Sequence, residues 1–218
     1  MPQRVIIIGG EGNGTVIADA ITHAAGAGRD TVVAGFLNDR LPVGAMAGAY
    51  PVLGGTDAIS RFIGESYSFV YTILRIDGQD ERLELFERLA IPPGQLFTFV
   101  HPLAYVAPSA TLGEGTVVMP NASISSDAVL GRGCLVMVNA SVGHNAQIGD
   151  FCHLAAQSCV SSFVRLGRGV HVGLNATVRE GLNMMDCSTL GMGSVLLQDV
   201  NEREIWAGNP ARFLRGAH

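Results

Sequence analysis

Charged and aromatic residues are scarce in this sequence. Of its 218 residues, 15% are charged and 6% are aromatic, whereas 28 are glycine. This balance suits close-packed repetitive structure better than an ordinary helical enzyme. The net charge of -5 provides no electrostatic attraction toward nucleic acid or an anionic membrane, so neither is expected as a partner.

Long apolar runs and paired cysteines are also missing. No run approaches the roughly 18 residues of a membrane span, and "MPQRVIIIGGEG" lacks the features of a secretory signal, so the cytoplasm is the expected compartment. The cysteines lie singly, which signals neither a zinc site nor a disulfide framework, and no metal is expected. They are Cys134, Cys152, Cys159 and Cys187.

The first half of the chain alternates between strand and helix patterns. "RVIIIGG", "TVVAGFLND" and "YSFVYTILRI" are β-branched or apolar runs, and "GTVIADAITHAAGAG" and "DERLELFERLAI" have helical spacing. This order predicts a small parallel sheet with helices on its faces. The proline-containing stretch "IPPGQLFTFVHP" then interrupts the pattern, so we expect an α/β domain over residues 1–98 and a second domain over residues 99–218.

The second half has a period of six. From Val106 to Leu196, an aliphatic residue or methionine occupies all sixteen positions that are six residues apart. In the early turns a mostly small residue stands two places earlier, and glycine often stands one place later. This period predicts a hexapeptide parallel β-helix, in which three hexapeptides form one coil of a triangular prism. The sixteen positions correspond to a little over five coils.

The repeat and the tail "WAGNPARFLR" resemble the hexapeptide-repeat acyltransferases. The segments "VIIIGGEGNGTVIADAI" and "GFLND" narrow the resemblance to sugar acetyltransferases, namely the nucleotide-sugar N-acetyltransferases of the bacillosamine and perosamine type and the sialic acid O-acetyltransferases. These proteins are similar over nearly the whole chain. The resemblance implies a Rossmann-like first domain, a left-handed all-β helix, acetyl-coenzyme A as co-substrate, and a homotrimer with active sites between neighbouring prisms.

His144 interrupts the small and aliphatic residues of "NASVGHNAQIGD". It follows the inward Val142 by two residues, so its side chain is expected at a corner, outside the prism. The segment matches the catalytic segment of the family, and the resemblance implies that His144 is the general base. The bacillosamine enzymes have a glutamate next, whereas Asn145 can hydrogen-bond to the ring but cannot stabilise an imidazolium by charge. This difference favours an amine over a hydroxyl as acceptor.

The resemblance also places acetyl-coenzyme A along the groove between two prisms, held largely by backbone groups. The spacing of His153 from His144 matches a second family histidine near the acetyl group, so His153 is predicted to contact the coenzyme. His171 lies one coil further along and is expected to be an exposed neighbour of His153. Gly173 and Gly191, close to the tail, are predicted to border the coenzyme.

The glycine-rich turn "GGEGNG", residues 9–14, follows a strand and opens a helix, the context in which backbone N–H groups bind phosphate. Its spacing is not G-x-G-x-x-G, and the domain is half of a full dinucleotide fold, so a nucleotide-linked sugar is favoured over NAD. The resemblance implies that this turn and the end of the second strand hold the nucleotide, with Asn13 where a histidine often stands. The predicted substrate-binding residues are Gly10, Gly12, Asn13, Gly14, Asn38 and Asp39.

The sequence therefore predicts an N-acetyltransferase that uses acetyl-coenzyme A to acetylate the amino group of a nucleotide-linked 4-amino-4,6-dideoxy sugar, a reaction that feeds surface polysaccharide assembly. One alternative is O-acetylation of sialic acid or a related sugar by the same histidine. Another is a non-catalytic trimeric scaffold or nucleotide sensor. The sequence does not determine the nucleotide base, the acetylated carbon of the sugar or the length of the acyl chain.

Overall fold

The first part of the chain is an α/β unit built on a five-stranded sheet. A computed structural model describes residues 2–26 and 30–217. The spatial order of the strands is β3-β4-β2-β1-β5, and every neighbouring pair is parallel except β3 with β4. The elements are β1 (Gln3–Ile8), α1 (Asn13–Gly26), β2 (Thr31–Leu37), β3 (Met46–Ala47), β4 (Tyr50–Gly54), a 3₁₀ helix (Thr56–Arg61), β5 (Tyr67–Tyr71) and α2 (Gln79–Leu89).

The predicted alternation of strands and helices is present, with differences in detail. The sequence did not predict the hairpin of β3 and β4 or the 3₁₀ helix. The predicted third strand was expected to run to Ile76, but β5 ends at Tyr71, because its partner β1 ends at Ile8, which pairs with Tyr71. The last residues of the first predicted helix, 27 and 28, lie outside the described residues, as do the outer domain limits 1 and 218.

The second part is a triangular prism of two-residue strands spaced six residues apart. In chain order the strands are β6 (Phe99–Val100), β7 (Tyr105–Val106), β8 (Thr111–Leu112), β9 (Val117–Val118), β10 (Ser123–Ile124), β11 (Val129–Leu130), β12 (Leu135–Val136), β13 (Ser141–Val142), β14 (Gln147–Ile148), β15 (His153–Leu154), β16 (Cys159–Val160), β17 (Arg165–Leu166), β18 (His171–Val172), β19 (Thr177–Val178), β20 (Asn183–Met184), β21 (Thr189–Leu190) and β22 (Val195–Leu196), followed by a tail hairpin of β23 (Glu204–Gly208) and β24 (Ala211–Gly216).

Each strand pairs in parallel with the strand one coil further along, which generates three faces. The first face contains β6, β9, β12, β15, β18 and β21 and continues into the tail hairpin. The second contains β7, β10, β13, β16, β19 and β22, and the third contains β8, β11, β14, β17 and β20. We call the first the docked face, because the α/β unit packs on it.

The predicted inward register is confirmed by burial. The second residue of each strand from β9 to β22 is buried in one continuous core, together with small residues such as Ala128 and Ala146. Val106 and Leu112, in the first coil, are only partly buried. Because burying a valine or leucine side chain contributes roughly 1.5–3 kcal/mol, this column of aliphatic residues is the main source of stability in the prism.

The α/β unit covers the outward side chains of the docked face. Val117 and Leu135 are buried in the same cluster as Ile21 of α1, and Phe151 is buried against Leu83 and other residues of α2. Outward positions on this face therefore belong to a second core between the two parts of the chain. Within the described ranges, no helix is long and apolar enough to cross a membrane.

Glycine is required where successive coils come closest. A Cβ atom on Gly149 would lie 2.7 Å from both the carbonyl carbon and oxygen of Gly167, one coil further along. These are backbone atoms of a paired strand, so they cannot move aside without shifting a coil.

We predict that Gly149→Ala lowers the free energy of unfolding by about 1–3 kcal/mol, because overpacking displaces a paired coil. The control is Gly26→Ala, where an added Cβ meets nothing within 4 Å. Urea unfolding at one fixed protein concentration measures both variants. An unchanged urea midpoint for Gly149→Ala would show that the adjacent coils accommodate a Cβ atom at this corner.

Candidate active site

His144 lies on the corner between β13 and β14, where the second face meets the third, and its side chain is exposed as predicted. Its Nδ1 atom is 2.9 Å from Oδ1 of Asn145. An amide oxygen only accepts hydrogen bonds, so Nδ1 carries the hydrogen, and in the neutral ring Nε2 has the free lone pair. The ring of Phe163, one coil further along, meets the imidazole edge to face, with 5.0 Å between centroids. The sequence pattern gave no indication of this aromatic neighbour.

His153 and His171 form a buried, stacked pair on the docked face. The two rings are nearly parallel, and their Nδ1 atoms are 2.9 Å apart. The expectation that His171 is exposed is wrong, because the α/β unit covers it and leaves it 5% exposed. One hydrogen bridges the two Nδ1 atoms, so one ring donates and the other accepts.

Both buried imidazoles are neutral near pH 7. Burial lowers the pKa of His153 well below its ordinary value, and the charges of His171 and Arg82 lower it further. Burial lowers the pKa of His171 to about 4, and Arg82 acts in the same direction. Arg82 is itself 4% exposed, donates from Nη2 to the carbonyl oxygen of Phe151 at 2.6 Å, and forms no ion pair within the described ranges.

An open cleft of about 980 Å³ lies at the carboxyl ends of β1, β2 and β5. Because β2 and β5 flank β1 on opposite sides, the cleft is at the point where the strand order reverses, the usual ligand site of an open α/β sheet. Its charged lining residues are Glu11, Asp39, Glu81, Glu84, Arg40, Arg75, Arg82 and Arg88.

The glycine turn shapes one wall of this cleft. A Cβ on Gly10 would lie 2.6 Å from Nδ2 of Asn38, and one on Gly14 would lie 2.9 Å from the ring of Phe36. Gly12 has a φ of +89°, which favours glycine. Packing and backbone conformation alone therefore account for glycine at these positions.

Asn38 and Asp39 have structural partners. The Asn38 amide donates to the carbonyl oxygen of Gly9 at 2.9 Å, and its Oδ1 accepts from the backbone N–H groups of Arg40 and Leu41. The Asp39 carboxylate accepts from the N–H and hydroxyl groups of Thr56, the first residue of the 3₁₀ helix. Asn38 thus ties the turn to the glycine loop, while Asp39 stays exposed in the cleft lining.

Asn13 links the cleft to the docked face. It is the first residue of α1, lines the cleft, and places its Nδ2 atom 3.4 Å from Nε2 of His153. Gly173 and Gly191 follow β18 and β21, also on the docked face. A Cβ on Gly173 would lie 2.6 Å from the backbone nitrogen of Met192, so coil stacking accounts for that glycine.

Several known acetyltransferases are similar to the chain, although no family model matches it. A UDP-N-acetylbacillosamine N-acetyltransferase of Bacillus subtilis is 32% identical over 117 residues, so the match covers 54% of this chain and about half, 51%, of that relative. The acetyltransferase domain of PglB from Neisseria gonorrhoeae, in complex with acetyl coenzyme A, matches with a TM-score of 0.83 and 27% identity, covering 98% of this chain and 100% of that one.

PerB from Caulobacter crescentus, in complex with CoA and GDP-perosamine, also matches, with a TM-score of 0.83 and 28% identity over 97% of each chain. The chain resembles the sugar N-acetyltransferases of the hexapeptide-repeat type. Its prism is accordingly a β-solenoid of the left-handed β-helix type.

A single chain does not bring all the predicted site residues together. Asn13, His153 and the cleft lie at the docked face. His144 lies on the corner where the other two faces meet, which is the edge opposite the docked face. Among the described residues no group of three histidine, cysteine or acidic side chains could hold a metal ion.

The buried histidine pair predicts loss of stability in acid. His171 titrates at about 4 in the folded chain and near 6.5 when unfolded, so the unfolded state binds more protons between these values. Stability should be fully present above pH 6.5 and decline toward pH 4, by up to about 1.4 kcal/mol per pH unit for each histidine.

His171→Phe should lower the slope of the unfolding free energy against pH in this window by up to about 1.4 kcal/mol per pH unit, which corresponds to one proton. Each protein's unfolding free energy at pH 7.5 serves as its reference value. Chemical denaturation at a series of pH values measures the slope. A slope equal to that of the unmodified protein would mean that His171 does not titrate on unfolding.

Proposed function

We propose that this chain is an acetyl-coenzyme A-dependent N-acetyltransferase that acts on the amino group of a nucleotide-linked 4-amino-4,6-dideoxy sugar. The observation that carries the proposal is the exposed His144, whose Nδ1–H is held by Asn145 and whose Nε2 is left free to accept a proton. Similarity to PglB with acetyl coenzyme A and to PerB with CoA and GDP-perosamine supports it.

In the proposed reaction the neutral sugar amine attacks the thioester carbonyl carbon, and a C–N bond forms. His144 Nε2 takes the proton that the amine sheds. The tetrahedral intermediate then collapses, the C–S bond breaks, and the imidazolium returns the proton to the departing thiolate. The products are the amide and free coenzyme A. General-base assistance of this kind contributes about 10²–10⁴ in rate.

Asn145 acts in this scheme by orientation. Its amide oxygen fixes the tautomer of His144 but adds no negative charge beside the imidazolium. An imidazole without a carboxylate partner is a sufficient base for an amine, because the amine needs deprotonation only as it attacks. It is less suited to a sugar hydroxyl. The amide at position 145 therefore favours N-acetylation over O-acetylation of sialic acid.

The α/β unit is assigned as a Rossmann-like domain that binds the nucleotide part of the substrate in the cleft. The first-turn N–H groups of α1, at Asn13 and Gly14, suit the diphosphate, together with the backbone of Gly10 and Gly12. The exposed Arg40 and Arg88 form no ion pair within residues 2–26 and 30–217, so these two cations are available to an anionic ligand in a cleft that Glu11, Asp39 and Glu84 also line.

Beyond the diphosphate, Asp39 is the proposed contact for the ribose or base. Asn38 holds the loop in shape rather than reaching the ligand with a free amide. The relatives are named for UDP- and GDP-linked sugars, so both bases are candidates.

Acetyl-coenzyme A is proposed to lie in a groove beside the docked face, near the backbone of Gly173 and Gly191. His153 would face the acetyl group through Nε2, because Nδ1 is used by His171. Nε2 is also the atom nearest Asn13, at the edge of the cleft where the sugar would enter.

We propose a homotrimer, since the cleft and His144 lie on opposite sides of one prism. In a three-fold arrangement the His144 corner of one subunit would meet the cleft side of the next subunit, at the border of its docked face. Exposed apolar side chains outside the docked core support subunit packing: Tyr105 is 58% exposed and Met192 is 73% exposed.

We predict rapid release of coenzyme A when the protein is mixed with acetyl-coenzyme A and the correct member of a panel of UDP-, GDP- and dTDP-linked 4-amino-4,6-dideoxy sugars and free sialic acid. His144→Ala should lower turnover about 10²–10⁴-fold while still binding acetyl-coenzyme A. Asp127→Asn, on the same corner one coil earlier, is the matched control and should retain turnover.

Three other outcomes of this assay would each contradict part of the proposal. Release with sialic acid alone would replace N-acetylation with O-acetylation. Binding of acetyl-coenzyme A without release anywhere in the panel would favour the scaffold or nucleotide-sensor alternative. Full turnover by His144→Ala would remove this residue as the base.

The proposed shared site predicts complementation between subunits. Asn13→Trp, which blocks the edge of the cleft, and His144→Ala should each lose most of their turnover alone. Co-expressed in mixed trimers, they should recover activity, because some interfaces then combine an intact cleft with an intact His144. Absence of recovery in mixed trimers verified by mass spectrometry would place the whole site within one chain.

A further inference from the structure

Phe163 has an unusual backbone conformation for an exposed aromatic residue. Its φ is +59°, in the left-handed region that bulky side chains rarely adopt, and its side chain is 56% exposed. Both features are unfavourable for a phenylalanine, which loses its rotational freedom and gains little burial here.

Other coils turn the same corner with better-suited residues. The equivalent positions are Asp127 and Asn145 in the preceding coils and Gly181 in the following one, all with positive φ. These residue types tolerate that conformation. The corner geometry therefore does not call for phenylalanine.

Phe151 shows what normally compensates such a phenylalanine. It has a φ of +57° but is 2% exposed, and its ring packs 4.4 Å from that of Phe86. Within its own chain Phe163 lacks such burial. In the described part of the chain, its ring meets one other aromatic ring, that of His144.

The contact between Phe163 and His144 is well defined. The two rings are perpendicular, at 88°, with centroids 5.0 Å apart, and the backbone N–H of Phe163 donates to the carbonyl oxygen of His144 at 3.1 Å. Asn145 holds only one atom of the imidazole, so loss of this single hydrogen bond would leave the ring free to rotate about its Cβ–Cγ bond. A perpendicular aromatic ring blocks this rotation.

We infer that Phe163 is a positioning residue for His144: it fixes the plane of the imidazole so that Nε2 stays directed at the acyl acceptor. This inference rests on the proposed function of His144. Orientation matters because a displacement of about 1 Å at a reacting group can cost about 10²-fold in rate.

The test compares three variants. Phe163→Asn should melt at or above the temperature of the unmodified protein, because asparagine suits positive φ. Its kcat should fall about tenfold, with the KM values for both substrates little changed, because ring orientation acts on the chemical step. Phe163→Tyr keeps the ring and should restore kcat, whereas Phe163→Leu should not. Gln157→Asn, at a different corner with a φ of +61°, is the control and should keep its kcat.

A second measurement does not require turnover. With ¹⁵N-labelled histidine, the ring nitrogens of His144 should report one Nδ1–H tautomer in the unmodified protein and a mixture in Phe163→Asn, because a rotating ring loses the bond to Asn145. If no panel member supports release of coenzyme A, the proposed function fails, but these spectra still test the positioning.

Two results would overturn the inference. Unchanged kcat and an unchanged tautomer in Phe163→Asn would show that Asn145 alone holds the ring. Dissociation of trimers in Phe163→Asn, seen by sedimentation, would instead make Phe163 a subunit contact.

Discussion

The pairing of each coil with the coil 18 residues away is the constraint on which the rest of the structure depends. Every strand of the prism is only two residues long, so it is held by its neighbours in the adjacent coils rather than by its own length. A residue's place in the hexapeptide therefore fixes its direction, and its place in the 18-residue coil fixes its face. This is why His144 and Phe163 share one corner, and why His153 and His171 stand in register.

Because the α/β unit packs on one face only, outward side chains of the prism have different environments on different faces. Outward side chains on the docked face lose their water, whereas those at the opposite corner keep it. On the docked face His153 and His171 are neutral and share a hydrogen, whereas His144 stays exposed with a free Nε2. The same repeat thus supports a buried, fixed histidine pair and an exposed imidazole, according to what packs against each face.

This arrangement separates the cleft from the proposed base within one chain. The cleft lies beside the docked face, and Asn13 joins it to His153, whereas the proposed base is on the far edge of the prism. In the proposed homotrimer, assembly would bring the two parts of the site together. The orientation of the base would then depend on local contacts from Asn145 and Phe163, which belong to the same corner.

The sequence by itself determined the hexapeptide register, the inward residues and the corner position of His144, because those follow from a period of six between close neighbours. Only the tertiary structure decided the burial of His171, the partners of Asn38 and Asp39, and the approach of Asn13 to His153. These depend on contacts between distant segments, as with Asn13 and His153, which are 140 residues apart. A periodic pattern specifies which side chains point outward, but not which part of the chain will cover them.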